Sequence, residues 1–261
     1  MSFGGVRAAI LAFLVAATAR ADDKEEPPAP RRFDAAIRSA DAGAFQPFTA
    51  AARIEGRATM SILSGYDSAY GSAAMSLGAE VRIWGPIAIR GGAVWVPEGR
   101  TIAPTAGVRV QVLSQERFGI DLSLGAQYKP EGLTEATGEG ELEGVVAVGR
   151  RFGKLGLVGN AVFGSDFEGN DRDGEVRLAS MYSFSERWRA GLDSRARFDL
   201  GSVDVAAGRK AKVDVVAGPT ASFLVGPVAL VGTVGYSGVQ LFGANNFSSG
   251  VIAMGGVGAA F

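Results

Sequence analysis

The sequence predicts an all-β fold, an antiparallel up-and-down β-barrel of about twelve strands (roughly ten to fourteen). Two observations support this prediction. From about residue 53 onward, apolar and polar residues alternate with a period of two. The connections between the alternating runs switch regularly between very short turns and longer polar loops. An antiparallel meander with turns at one end and loops at the other has this organisation.

The stretch "WRAGLDSRARFDL" at 188–200 shows the alternation most clearly. Trp188, Leu192 and Phe198 fall on one face, whereas Arg189 and Asp193 fall on the other. Successive side chains of a strand point to opposite faces, so this strand has an apolar face and a charged face. The predicted strands cover residues 53–63, 72–83, 87–96, 104–113, 118–128, 139–150, 155–165, 174–184, 187–199, 211–224, 228–237 and 249–261.

Strand length and the purity of the apolar faces favour a barrel that spans a membrane. Strands of soluble proteins are most often about 5–6 residues long, whereas about 9–11 residues are needed to cross the hydrocarbon layer. Most of the runs here reach the longer value, and their apolar faces carry no Asp, Glu, Lys or Arg. A sheet in lipid must close into a ring, because an open edge would leave backbone groups unpaired. The alternative is a secreted soluble β-protein with the same alternation.

The start of the chain predicts export. Arg7 precedes the apolar run 8–17, and Ala19-Arg20-Ala21 matches a small-x-small cleavage pattern. We expect a signal peptide over 1–21. Residues 22–52 then form a charged, Pro-rich linker, in which 33–50 is a candidate short helix beginning near Asp34. That helix would lie either in the periplasm or inside the barrel as a plug.

Aromatic residues gather near the ends of the predicted strands, and the chain ends on Phe261 in step with Val257. These aromatic residues are Trp84, Trp95, Phe118, Tyr128, Phe152, Tyr182, Phe184, Trp188, Phe198 and Tyr236. With its short turns and long loops, the region 53–261 resembles the bacterial outer-membrane β-barrel superfamily at the level of architecture. The resemblance implies an outer-membrane location, contact with lipid, and recognition of Phe261 by the barrel-assembly machinery as an assembly signal.

The charged faces predict a polar lumen. Its predicted lining residues are Glu80, Arg82, Arg90, Arg109, Asp121, Glu141, Glu143, Arg177, Arg189, Asp193, Arg195, Arg197 and Asp199. Acids on the fifth and sixth strands would face bases on the eighth and ninth across part of the bore. This predicts a porin-like passive channel for small polar solutes through a mixed-charge lumen. The alternative is a non-conducting structural or surface-binding barrel with a sealed lumen.

Composition argues against several other classes of function. The chain has no His and no Cys. The known outer-membrane phospholipases, lipid A deacylases and omptin proteases depend on a catalytic histidine, so we expect no enzyme. The net charge of −1 and the lack of a compact basic patch argue against nucleic-acid binding. The acidic loop 166–175 departs from the EF-hand spacing, and we expect no metal or cofactor. No oligomeric state is predicted.

Overall fold

The structure is a computed structural model that describes residues 49, 52–54, 56–69, 71–96, 101–130, 140–167, 172–201 and 211–261. The predicted signal peptide, the linker 22–32 and the candidate helix near Asp34 lie outside the described residues.

In the described part of the chain, twelve antiparallel strands form a closed barrel in which each strand pairs with its neighbours along the chain. The strands are β1 (Ala58–Asp67), β2 (Ser72–Trp84), β3 (Ile87–Val96), β4 (Thr101–Leu113), β5 (Asp121–Pro130), β6 (Gly140–Phe152), β7 (Leu155–Asp166), β8 (Arg172–Ser183), β9 (Trp188–Asp199), β10 (Ala211–Val225), β11 (Val228–Leu241) and β12 (Ser248–Ala260). The ring closes where β1 pairs with β12, from Thr59 opposite Ala260 to Asp67 opposite Ile252. The predicted fold class is therefore confirmed.

The predicted strand boundaries agree closely with the structure, except at the first strand. The predicted strand 53–63 is observed as Ala58–Asp67. Gly56 has a φ of 55°, a left-handed conformation that ends the extended run before β1. The chain therefore changes direction at Gly56, and residues 52–54 are not part of the barrel wall.

The turns at one end are short because the sequence supplies hairpin residues there. Gly85 and Gly226 each precede a proline and adopt positive φ values of 45° and 59°. Glycine at the first central position of a two-residue turn is typical of hairpins whose strands twist correctly. A four-residue helix, α1 (Gln115–Phe118), makes the connection between β4 and β5.

The apolar faces of the strands lie on the outside of the barrel. Leu178, Leu192 and Val234 are each more than half exposed, at 58%, 60% and 57%. Among the described strand residues on this outer face, the charged side chains are Arg150 and Arg172, which lie close to strand ends. An apolar band bounded by polar ends is the surface that lipid requires. A soluble barrel would have the reverse arrangement, with its apolar face turned inward.

The aromatic residues predicted to cluster near strand ends are all exposed on the outer surface. Some of them form ring contacts, such as Trp188 with Phe223 at 4.6 Å and Tyr182 with Phe184 at 5.0 Å between centroids. Aromatic girdles at the two membrane interfaces have this distribution. Within the described part of the chain, no helix is long and apolar enough to cross a membrane.

Glycines on the inner face allow neighbouring strands to bend closely together. A Cβ on Gly191 would overlap the backbone carbonyl oxygen of Ser180, and a Cβ on Gly218 would meet the backbone of Gly235. Glycine kinks of this kind introduce the curvature that a closed sheet needs. The inner glycines therefore shape the bore in which the charged residues lie.

Candidate functional site in the lumen

The first group of charged lumen residues lies on β2, β3 and β4, and we call it the β2–β4 cluster. Glu80 lies between Arg109 and Arg90, with nitrogen-to-oxygen distances of 2.5 Å and 3.4 Å. Glu80 and Arg109 are both buried. With one carboxylate and two guanidinium groups, the cluster has a net charge of +1.

The second group lies on β8, β9 and β10, nearer the ends that carry the long loops, and we call it the β8–β10 cluster. Arg195 pairs with Asp214 at 2.6 Å and lies 4.0 Å from Glu175. Glu175 also pairs with Arg177, and Arg197 donates its Nε to Asp173 at 2.7 Å. These three carboxylates and three guanidinium groups sum to zero charge. Because the bases pair with acids on the same or adjacent strands, they do not stand unpaired opposite the acids of β5 and β6.

The other predicted lining residues on β2, β5 and β6 occupy different surroundings. Glu143 is buried and accepts a hydrogen bond from Gln127. Asp121 accepts hydrogen bonds from the backbone N–H of Gln115 at 2.9 Å and from Gln111, so it organises the β4–β5 connection. Arg82 donates to the backbone carbonyl of Ile54. The side chain of Glu141, at a β6 position, lies outside the described residues.

The remaining predicted residues lie on β9 and at the end of β12. Asp193 and Arg189 are almost completely buried, at 0% and 1% exposure. Asp199 ends β9, where it is in register with Asp173. Phe261 follows β12 and is exposed, and its backbone N–H donates to the carbonyl of Ala58 at 2.9 Å.

Some lumen residues were missing from the predicted set. Asp173 belongs to β8 and not to the predicted loop 166–175, and Thr49, which lies in the predicted linker, contacts Asp193. On β10 and β11, Thr233 donates to Thr220 at 2.7 Å, and both side chains are buried. Period-two alternation extended by one position predicts Asp173. Thr49 lies in the segment 33–50, for which a position inside the barrel is one of the two predicted alternatives, but no pattern in the sequence indicates its contact with Asp193.

The wall formed by β11 and β12 is much less charged than the rest of the lumen. These two strands contain no Asp, Glu, Lys or Arg. Their inner positions carry hydroxyl groups such as Ser237, which donates to Asp67 at 2.6 Å, and apolar groups such as Ile252, which packs against Val216. The bore therefore combines two ion-paired regions with a wall of hydroxyl and aliphatic side chains. The described residues include no group of three or more carboxylates placed to hold a metal ion.

Comparison with solved structures identifies proteins of the same architecture. The NanC porin superposes with a TM-score of 0.57 at 10% sequence identity, and covers 77% of this chain and 100% of its own. The KdgM porin gives a TM-score of 0.55 at 9% identity, and covers 78% of this chain and 99% of its own. The chain has the fold of bacterial outer-membrane porins. LpxR from Salmonella typhimurium, with a TM-score of 0.50 at 9% identity, is a further neighbour.

No known protein family and no curated protein sequence matches the chain. The likeness therefore extends to the fold and not to any particular set of residues. Together with the closed ring and its apolar exterior, it gives the chain the architecture of the β-barrels of the bacterial outer membrane. The architecture-level resemblance predicted from the sequence is confirmed.

Proposed function

We propose that this barrel is a passive channel for small polar solutes, which cross the outer membrane through its mixed-charge lumen. The observation that carries the proposal is the lining itself. Arginine and carboxylate side chains are collected on the inside of a closed ring whose outside is apolar. Rings of charged side chains are the usual means by which a pore selects among solutes.

The fold supports this proposal. Two neighbours in the structural comparison are described as porins, and the KdgM porin has also been solved in complex with disordered oligogalacturonate. The nearly balanced charge of the two clusters favours neutral-polar or zwitterionic solutes over strongly charged ones.

We also propose that the barrel has no catalytic activity. Without His or Cys, the chain lacks the most common general base and the thiol nucleophile. The lumen carboxylates Glu80, Glu175 and Asp214 are each engaged in an ion pair with an arginine, and not placed side by side as an acid–base pair of carboxylates.

A second candidate is a non-conducting structural barrel, and the pairing of the charges favours it. Ion pairs that bridge adjacent strands can fill an interior as well as line a path through it. The two functions differ in whether purified, folded protein passes current across a planar bilayer.

Single-channel recording with two charge-neutralising variants tests the channel. Arg195→Gln leaves the β8–β10 cluster at −1, and Asp214→Asn leaves it at +1. We expect Arg195→Gln to shift the reversal potential toward cation preference in a salt gradient, and Asp214→Asn to shift it toward anion preference. Arg195→Lys, which retains the charge, is the matched control and should resemble the wild type. A silent bilayer containing verified folded barrel would contradict the channel and leave the structural role.

A further inference from the structure

The chain that precedes β1 enters the bore. Ala52 and Ile54 are each about 1% exposed, and Thr49 is 2% exposed, although none of them belongs to a strand. The turn at Gly56 directs the chain inward, because residues beyond it toward the N-terminus contact inner-face side chains of several strands.

The base of this segment is held by side chains of β2 and β4. Gln111 accepts a hydrogen bond from the backbone N–H of Ile54 at 3.1 Å, and Arg109 donates to the carbonyl of Arg53 at 3.0 Å. Arg82 donates to the carbonyl of Ile54. A chain inside a barrel has no sheet to pair with, so these side chains supply the partners that its backbone groups require.

The other end of the segment reaches β6, β7 and β9. Ala52 packs against Ala147 and Val158, and a Cβ built on Gly149 would lie only 2.8 Å from the Cβ of Ala52. Thr49 donates its hydroxyl to Asp193 at 2.5 Å. Glycine at 149 thus leaves the space that Ala52 occupies.

These contacts place residue 49 and residues 53–54 on opposite sides of the bore. In the ring of twelve strands, β3 and β9 are six positions apart and therefore on opposite walls. The segment is attached beside β3 at residues 53–54 and on β9 at residue 49. Five residues span at most about 18 Å when fully extended, so a short stretch reaches from one wall to the other.

The crossing lies in the half of the barrel that carries the short turns. Arg82 lies two residues before the end of β2, Gln111 two before the end of β4, and Val158 three after the start of β7. Outer-membrane barrels place their short turns on the periplasmic side.

We propose that residues 49 and 52–54 belong to a plug that restricts the channel in its periplasmic half, and that this plug must move for solute to pass. The inference rests on the proposed channel function. The attachments suit a movable element, because they consist of a few hydrogen bonds and small side chains, with Ile54 as the one large apolar group among the described residues of the segment.

A disulfide lock tests the plug on the full-length protein. The chain has no cysteine, so Ala52→Cys with Gly149→Cys creates a single possible bridge. The Cβ separation must open from 2.8 Å to the roughly 3.5–4.5 Å of a disulfide, which a small backbone shift provides. We expect mass spectrometry of the folded barrel to show the bridge. In planar bilayers we expect reduction with dithiothreitol to raise conductance several-fold. The single variants Ala52→Cys and Gly149→Cys should show no such response.

A second variant opens the plug without a crosslink. Ala52→Asp buries a carboxylate against the aliphatic side chains of Ala147 and Val158, and should expel the segment while leaving every strand unchanged. We expect several-fold greater conductance than the wild type.

The possible failures are distinguishable. If the bridge does not form in the folded barrel, or if it forms and conductance is the same before and after reduction, the plug is refuted and the channel stands. If no variant conducts in any state, the channel is refuted and the gating role with it.

Discussion

Replacing Gly191 by alanine should destabilise the barrel strongly. The methyl group would point into the bore and overlap the carbonyl oxygen of Ser180, with the Cα of Met181 only 2.9 Å away. To accommodate it, β8 and β9 must separate locally. Overpacking of this kind costs about 1–3 kcal/mol, and the loss of one or two ladder hydrogen bonds adds about 1 kcal/mol each. We expect the free energy of unfolding to fall by about 2–5 kcal/mol in total.

Gly232→Ala is the matched control. Gly232 lies on the outer face of β11, and a Cβ there would have its nearest neighbour, the carbonyl oxygen of Met254, at an ordinary 3.7 Å. Alanine at this position should be neutral or slightly stabilising, by up to about 1 kcal/mol. Urea unfolding in detergent micelles, followed by tryptophan fluorescence and by the gel mobility of unheated samples, measures both variants. Equal unfolding midpoints would refute the argument that close strand approach at Gly191 requires glycine.

Three further variants test the outer and inner faces. Leu192→Arg places a charge on the lipid-facing surface of β9 and should lower the free energy of unfolding in vesicles by about 2–4 kcal/mol. Ser64→Arg, on the outer face of β1 nearer its loop end, should lower it by less. Equal losses of stability in the two variants would contradict a lipid-facing surface on which the cost depends on depth. Glu80→Gln removes the carboxylate between Arg90 and Arg109, which should cost about 2–4 kcal/mol and raise anion preference in bilayers; an unchanged reversal potential would show that the β2–β4 cluster does not face the conduction path.

The strands could be predicted from the sequence because lipid imposes a simple rule on them. A residue on a membrane-spanning strand faces either acyl chains or the interior, so charged residues are confined to alternate positions over long runs. In β9, Leu192 and Asp193 are neighbours in sequence, yet one is 60% exposed and the other is fully buried. The first strand was placed several residues too early because the alternation through Arg53 looks like that of a strand. The turn at Gly56 depends on contacts with the C-terminus that no local pattern shows.

Which acid pairs with which base in the lumen cannot be predicted from the sequence. The alternation predicts which residues share a face, but pairing depends on the register between strands. Arg195 reaches Asp214 because β9 and β10 pair with Arg197 opposite Asp214, one inner position away from Arg195. A shift by a single residue would turn these side chains to the other face of the sheet. Interactions between the lumen and residues outside the wall, such as Asp193 with Thr49, depend on the path of the chain in space.

The seam between β1 and β12 has a consequence for biogenesis. The backbone N–H of Arg57 donates to the carbonyl of Phe261 at 2.7 Å. Phe261 is therefore held next to the turn at Gly56, where the chain that precedes β1 enters the barrel. Closure of the barrel between β1 and β12 therefore determines whether the residues that precede β1 remain inside or outside it. During insertion, the residues that precede β1 must either enter the barrel before β1 and β12 pair or be threaded into its lumen after the barrel has closed. The two folding orders predict that Thr49 becomes buried before barrel closure in the first case and after it in the second.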